Sequence, residues 1–299
     1  MKRRNIIGIL IIVLATLAAP REAHAWSRDG HRIVCRIAWQ LLDGPRRAEI
    51  DRLTSAYRDP DGQPIANYFD ACAWADAVRS KANGSSLWRR LTAFETWHYA
   101  NVPRTTTRLT TPPCQVPCVI SAVEVHGDSL SRASSELART EALFFLSHWV
   151  ADLHQPLHVS YADDRGGNGI RPIGGGFYPA SNLHATWDAG ITGKLFDSSE
   201  WHEFADRLAA DISPEQRANW VRGTPTDWAQ ESYDIVTSQQ FQYCEWQVIG
   251  GARTCASMPG RRVLGDAYQN TFGPVVIRRL QQAGVRLAEV LLRHLTLTP

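Results

Sequence analysis

The stretch Ala142-Leu143-Phe144-Phe145-Leu146-Ser147-His148-Trp149-Val150-Ala151-Asp152-Leu153 is apolar nearly all round and stops just before Pro156. A surface helix keeps a polar face, so a run without one predicts a buried helix at the centre of the protein. Two polar residues interrupt it in a regular way. His148 and Asp152 lie four positions apart, which on a helix puts an imidazole and a carboxylate on one face. A lone carboxylate between Val150 and Leu153 would be costly to bury, and a metal ion removes that objection.

On both sides of this run the chain again reads as helical. Ile33, Val34, Ile37, Ala38 and Leu41 recur at three- and four-residue spacing, which predicts an amphipathic first helix stopped by Asp43-Gly44-Pro45 as a glycine C-cap and a proline. From Val275 to Leu292 apolar residues repeat at helical spacing with Arg278, Arg279, Arg286 and Arg293 between them, a long packing helix. The Thr- and Pro-rich segment between Arg104 and Cys118 reads as a loop. Gly166-Gly167-Asn168-Gly169 and Gly174-Gly175-Gly176 mark turns around a small β-hairpin. No repeat, long linker or composition shift divides the chain. The expectation is a mainly helical, all-α single domain with long loops.

The first 25 residues read differently. Lys2, Arg3 and Arg4 precede the apolar run Ile6 to Ala15, and Ala23-His24-Ala25 supplies an A-x-A cleavage signal. This is a signal peptide, 1–25, rather than an uncleaved anchor, for which the run is short. Cleavage would leave residues 26–299, starting at Trp26, in a periplasmic or extracellular setting that permits disulfides. Cys35, Cys72, Cys114, Cys118, Cys244 and Cys255 all fall in that part. Spacing suggests Cys114 with Cys118 and Cys244 with Cys255, leaving Cys35 with Cys72, out of 15 possible connectivities. A cysteine zinc site is the alternative, but no C-x-x-C pair occurs. Without the leader the chain holds 28 basic and 29 acidic residues, a net charge of −1, against +2 for the whole sequence of 299. Bulk basicity therefore cannot argue for a nucleic-acid partner, and any such partner must be argued from a site.

The remaining chemistry sits in histidine and aspartate. His184 and Asp188 repeat the four-residue spacing, and His158 follows Pro156. Imidazole and carboxylate without thiolate suit catalytic zinc better than a structural zinc finger.

Six segments, Trp26-x4-His31, Trp74-Ala75-Asp76, Trp97-His98-Tyr99, His148-x3-Asp152-x5-His158, Gly166-Gly167-Asn168 and Asn182-Leu183-His184-x3-Asp188, stand in one order. In that order and context the chain resembles the zinc-dependent, single-strand-specific nucleases of the mung-bean type, with plant class I, fungal and bacterial members. The resemblance runs from Trp26 to the C-terminal helix. It implies a helical fold with a cleft for three Zn2+ ions. By position the first ion takes Asp76, His98, His148 and Asp152, and the second takes His158, His184 and Asp188. The third takes the α-amine and carbonyl of Trp26 with His31 and Asp152, whose carboxylate bridges two ions. Arg79 matches a basic residue that contacts the scissile phosphate, so Asp76, Arg79 and Asp152 form the implied catalytic group. Tyr99 becomes a stacking ring, and Asn101, Gly166 and Asn168 line a base pocket. Asn101 stands where fungal members carry Asp, so base preference does not transfer.

The implied reaction is attack of a zinc-acidified water on a phosphodiester, with the third ion stabilising the leaving 3′-oxygen. Single-stranded DNA and RNA would give 5′-phosphate nucleotides, 3′-nucleotides would lose their phosphate, and the enzyme would be a monomer without a membrane anchor after processing. Two other readings remain: a zinc-dependent phospholipase C, whose corresponding motif resembles His-x3-Glu, and a secreted non-catalytic zinc-binding protein. Asn83-Gly84-Ser85 forms a glycosylation sequon.

Overall fold

Ser135 accepts a hydrogen bond from the Ala138 amide at 3.2 Å and Glu136 follows it, so the central helix starts ahead of the apolar run. The structure, a computed structural model, describes residues 26–81, 88–110, 114, 117–172, 182–257 and 263–297. The leader 1–25, Asn83 and Gly174 to Gly176 lie outside the described residues. Among the described residues are α1 (Arg28–Leu41), α2 (Gly44–Ala56), α3 (Tyr68–Ala71), α4 (Trp74–Arg79), α5 (Arg89–Thr92) and α6 (Val119–Arg132). They are followed by α7 (Glu136–Leu153), α8 (Leu183–Ala185), α9 (Trp201–Ala210), α10 (Pro214–Trp220), α11 (Pro225–Val236) and α12 (Asp266–His294). The chain is mainly helical, as expected.

α7 is buried on every side from residue 140 to 153. α6 lies along it, and α1 packs its apolar face against α12 and α9. α1 and α12 approach so closely that a Cβ on Gly284 would lie 2.4 Å from Cγ2 of Ile37. One contiguous hydrophobic cluster reaches from Trp26 to Leu295. No helix among the described residues is long and apolar enough to cross a membrane.

One expectation needs correction. Gly44 does not cap α1: Leu42 ends that helix, and Asp43 starts α2 by accepting the Arg46 amide at 2.9 Å, with Pro45 in the first turn. Proline is as favourable at a helix start as after a helix end, so Asp-Gly-Pro carries both meanings. Among the described residues a hairpin stands elsewhere, and the segment through Gly174 to Gly176 lies outside them. Gly166 to Gly169 form turns, whereas β3 (Cys244–Ile249) and β4 (Ala252–Ser257) pair antiparallel around Gly250 and Gly251, both at positive φ. The only other sheet among the described residues joins β1 (Ala100–Val102) to β2 (Val159–Tyr161) in parallel, Asn101 opposite Ser160.

α12 is the expected long packing helix, and its Arg279 and Arg286 are each only 2% exposed. Both pair with Glu231 of α11, at 2.5 and 2.6 Å. Arg279 Nε also donates to the His154 carbonyl, Ser232 Oγ donates to the Leu153 carbonyl, and Arg286 donates to His154 Nε2. The carbonyls that α7 leaves unpaired at its C-terminus are thereby satisfied. The three disulfides, Cys35–Cys72, Cys114–Cys118 and Cys244–Cys255, are those the spacing suggests.

Candidate metal centre

Seven elements bring one donor or two each to the same place. α1 carries His31 and α4 carries Asp76. His98 ends the 3-10 turn Glu95–His98, while His148 and Asp152 face inward from α7. His158 ends the 3-10 turn Pro156–His158, His184 lies on α8, and Asp188 lies on the π-helical turn Thr186–Gly190. The last pair therefore shares no regular α-helix, although its four-residue spacing still leaves Asp188 Oδ2 3.5 Å from His184 Nε2. Short π turns recur at functional sites because they redirect one side chain within a helix.

All eight side chains are buried. Three groups have ligand atoms within 4.8 Å of one another: His31 with Asp76 and His148, His98 with His148 and Asp152, and His158 with His184 and Asp188. Asp152 joins the first two. Its Oδ1 lies 3.4 Å from His31 Nε2, and its Oδ2 lies 3.1 Å from both His98 Nδ1 and His148 Nε2. The His31 and His148 rings stack at 4.0 Å.

Main-chain carbonyls fix which nitrogen of each ring points inward. His148 Nδ1 donates to the Cys72 carbonyl at 2.8 Å, His158 Nδ1 to the His98 carbonyl at 2.6 Å, and His184 Nδ1 to the Gly166 carbonyl at 2.7 Å. Each neutral ring is left with a lone pair on Nε2. The lone pairs of His158 and His184 then face each other at 3.1 Å, and His148 Nε2 faces His98 Nδ1 at 3.1 Å. The first contact requires a cation between its nitrogens, because both Nδ1 hydrogens are already donated to carbonyls, whereas the second can also be closed by a hydrogen on His98 Nδ1. A proton is a poor cation here, because burial holds His98 and His158 well below the usual imidazole range and His184 down to about 4. Burial also pushes Asp76 up to about 7 and raises Asp152 and Asp188 well above the usual carboxylate range. Asp76 Oδ1, Asp152 Oδ1 and Asp188 Oδ2 are buried without a hydrogen-bond partner. The donors thus fit metal ions: with Zn–N bonds of about 2.0–2.1 Å, tetrahedral ligand nitrogens sit roughly 3.3 Å apart.

Arg79 lies one turn beyond Asp76 on α4, half-buried, beside His98, Phe94 and Glu95. Its charge acts on Asp76, His98, His148, Asp152, His158, His184 and Asp188, in each case opposing protonation. It forms no ion pair among the described residues.

Trp26 is fully buried next to these ligands. Its ring N–H donates to the carbonyl of Ala151, one residue before Asp152, and the Ser27 amide donates to the Asp188 carbonyl at 2.8 Å. Tyr99 follows His98, half-buried. Asn101 lies on β1 with Oδ1 buried and lacking a hydrogen-bond partner. Gly166 supplies the acceptor for His184; at φ +63°, a Cβ there would lie 2.4 Å from the Leu157 carbonyl oxygen. Asn168 accepts from Asn182, whose own Oδ1 caps α8 at the Ala185 amide. Sequence patterns did not reveal the orienting carbonyls of Cys72, His98 and Gly166, because any residue supplies a carbonyl. Gln155, which contacts Asp188, was also missed; its one visible signal is a polar residue between Asp152 and His158 in an otherwise apolar segment.

Residues 26–296 match the family model of the S1/P1 nucleases. The chain belongs to the S1/P1 nuclease family. It is 30% identical to Endonuclease 2 of Arabidopsis thaliana over 98% of both chains. It is 27% identical to Nuclease S1 of Aspergillus oryzae, over 94% of this chain and 95% of the relative. With Nuclease P1 of Penicillium citrinum it shares 29% identity over 57% of this chain and 64% of the relative. As an S1/P1 nuclease the protein is an enzyme that hydrolyses phosphodiester bonds of nucleic acid, and its three His/Asp groups are able to hold metal.

Proposed function

We propose that this S1/P1-family member is an exported, monomeric three-zinc endonuclease, a single domain of residues 26–299 once 1–25 are removed. It cleaves single-stranded DNA and RNA to 5′-phosphate nucleotides and removes the terminal phosphate of 3′-nucleotides. The observation that carries the reading is the buried convergence of imidazole lone pairs and unpartnered carboxylate oxygens beside an arginine that forms no ion pair among the described residues.

Asp76, His98, His148 and Asp152 would hold one ion, His158, His184 and Asp188 a second, and Trp26, His31 and Asp152 a third. Bound there, zinc supplies Lewis-acid charge and acidifies a water towards neutral pH. The chain's own groups do the rest. Asp152 turns one oxygen to His31 and the other to His98 and His148, as a carboxylate shared between two ions must. Arg79 binds the phosphate and offsets the negative charge that grows on its oxygens in the transition state. Tyr99 stacks a base, with Asn101, Gly166 and Asn168 around it. A base must leave its stack before its phosphate can reach donors this deeply buried, which favours unpaired strands.

Hydrolysis of heat-denatured DNA, a 3′-nucleotide and phosphatidylcholine, each with and without a chelator, tests the reading. Chelator-sensitive cleavage of the first two supports it. Cleavage of phosphatidylcholine alone would make the enzyme a phospholipase, and no cleavage of any substrate by the zinc-loaded protein would make it a zinc-binding protein.

A further inference from the structure

We infer that Gln155 is a positioning residue for the His158, His184 and Asp188 cluster, its side-chain amide turning the Asp188 carboxylate so that one oxygen is left facing the imidazoles. The inference rests on the proposed binding of metal by that cluster and extends it to a residue outside the ligand set.

Gln155 is fully buried in the turn that follows α7. The main-chain amide of Leu157 donates to its Oε1 at 2.6 Å. A backbone N–H can only donate, so this contact fixes which end of the side chain is oxygen and makes the other end the NH2 group. That group donates to Asp188 Oδ1 at 2.6 Å. Oδ1 is therefore occupied as an acceptor. Oδ2 remains buried, has no hydrogen-bond partner, and lies 3.5 Å from His184 Nε2.

The main chain of the same residue reaches the other ligand. The His158 amide donates to the Gln155 carbonyl at 3.0 Å. Gln155 thus holds Asp188 by its side chain and His158 by its backbone, setting donors from two distant segments of sequence against each other. A carboxylate free to rotate would lose part of that alignment, and removing such an outer partner typically weakens metal binding about 10- to 100-fold.

Two variants separate positioning of Asp188 from bracing of the turn. Gln155→Glu keeps the side-chain length and the acceptor for Leu157 but puts an oxygen where Asp188 needs a donor. Gln155→Met removes both contacts. Zinc content is followed against increasing chelator, together with the melting temperature of the metal-free proteins. The expected result is that Gln155→Glu releases one zinc per chain at a chelator level that leaves the wild type loaded, about 10- to 100-fold weaker binding, while its metal-free melting temperature stays near that of the wild type. If Gln155→Glu holds zinc as tightly as the wild type and only Gln155→Met loses it, the side chain merely braces the turn and the inference is overturned. Should the metal-free Gln155→Glu protein not fold, the rate of zinc loss from the loaded protein decides, faster loss supporting the inference and an equal rate overturning it. Asp188→Asn is the control: if it too keeps every ion, the cluster is not a metal site and the underlying reading falls; if it loses an ion that Gln155→Glu keeps, Gln155 alone is refuted.

Discussion

Arg79 acts on seven buried donors without forming an ion pair among the described residues, so its removal leaves no partner charge stranded. Arg79→Ala is therefore expected to lower turnover about 100-fold, the scale of losing one transition-state contact, with zinc content and melting temperature nearly unchanged. Steady-state kinetics with calorimetry check this; a large drop in stability at normal turnover would make Arg79 a packing residue. Asp76 behaves differently. Burial holds its carboxyl up to about 7 in the metal-free chain, against a reference near 3.9. The folded state then keeps a proton that the unfolded state releases, so metal-free stability falls as pH rises between about 4 and 7. Below about pH 4 both states are protonated and the effect disappears. Metal-free Asp76→Asn, which cannot ionise, should melt level with the wild type near pH 4 and above it near pH 8, a gap on the order of 2–4 kcal/mol. A lower melting point than the wild type at the higher pH would contradict the assignment. Spacing made His148, Asp152, His184 and Asp188 legible in sequence, whereas Asp76 and Arg79 were legible only through the family resemblance. The groups that orient the histidines were not, since the carbonyls of Cys72, His98 and Gly166 belong to residues of unrelated type.

Among the helices, the end of α7 carries the most consequence, because Asp152 and His158 lie on either side of it. It is held by Glu231, Arg279, Arg286 and His154, from three segments that meet only in the folded chain. Glu231→Ala strands two guanidiniums that are 2% exposed beside a carboxylate that is 40% exposed. The expected loss is on the order of 2–3 kcal/mol, the low end for a broken buried pair because of that exposure. A thermal scan should show a fall of roughly 4–10 °C, whereas an unchanged melting temperature would mean that the guanidiniums remain satisfied without Glu231. Periodicity revealed α7 and α12 but could not show that Arg279 and Arg286 point inward, since an arginine between apolar positions normally faces water. The hairpin at Gly250-Gly251 was not legible for a similar reason: a glycine pair marks a turn, but only the folded chain shows that the two flanking segments pair. The helical fold itself was legible because a twelve-residue apolar run leaves few other places to go.

For the molecule as a whole, three disulfides suit the proposed export. In the precursor the Trp26 nitrogen is an amide, which cannot ligate zinc; once freed, an amine with a reference pKa of about 7.7–8.0 can. A chain that starts at Trp26 should therefore hold one zinc more than the same chain extended by Gly-Ser, and the extended form should lose most of its activity. Equal zinc and equal activity would remove Trp26 from the ligand set. The most direct measurement is elemental zinc per chain, taken alongside cleavage of heat-denatured DNA, for the wild type, Asp152→Asn and His202→Ala. His202 lies on α9, paired with Glu203 and outside the donor set. Three zinc ions and full activity are predicted for the wild type and His202→Ala, with more than one zinc and nearly all activity lost in Asp152→Asn; unchanged zinc in Asp152→Asn, or strand cleavage by protein free of zinc, would contradict a nuclease built on three buried ions.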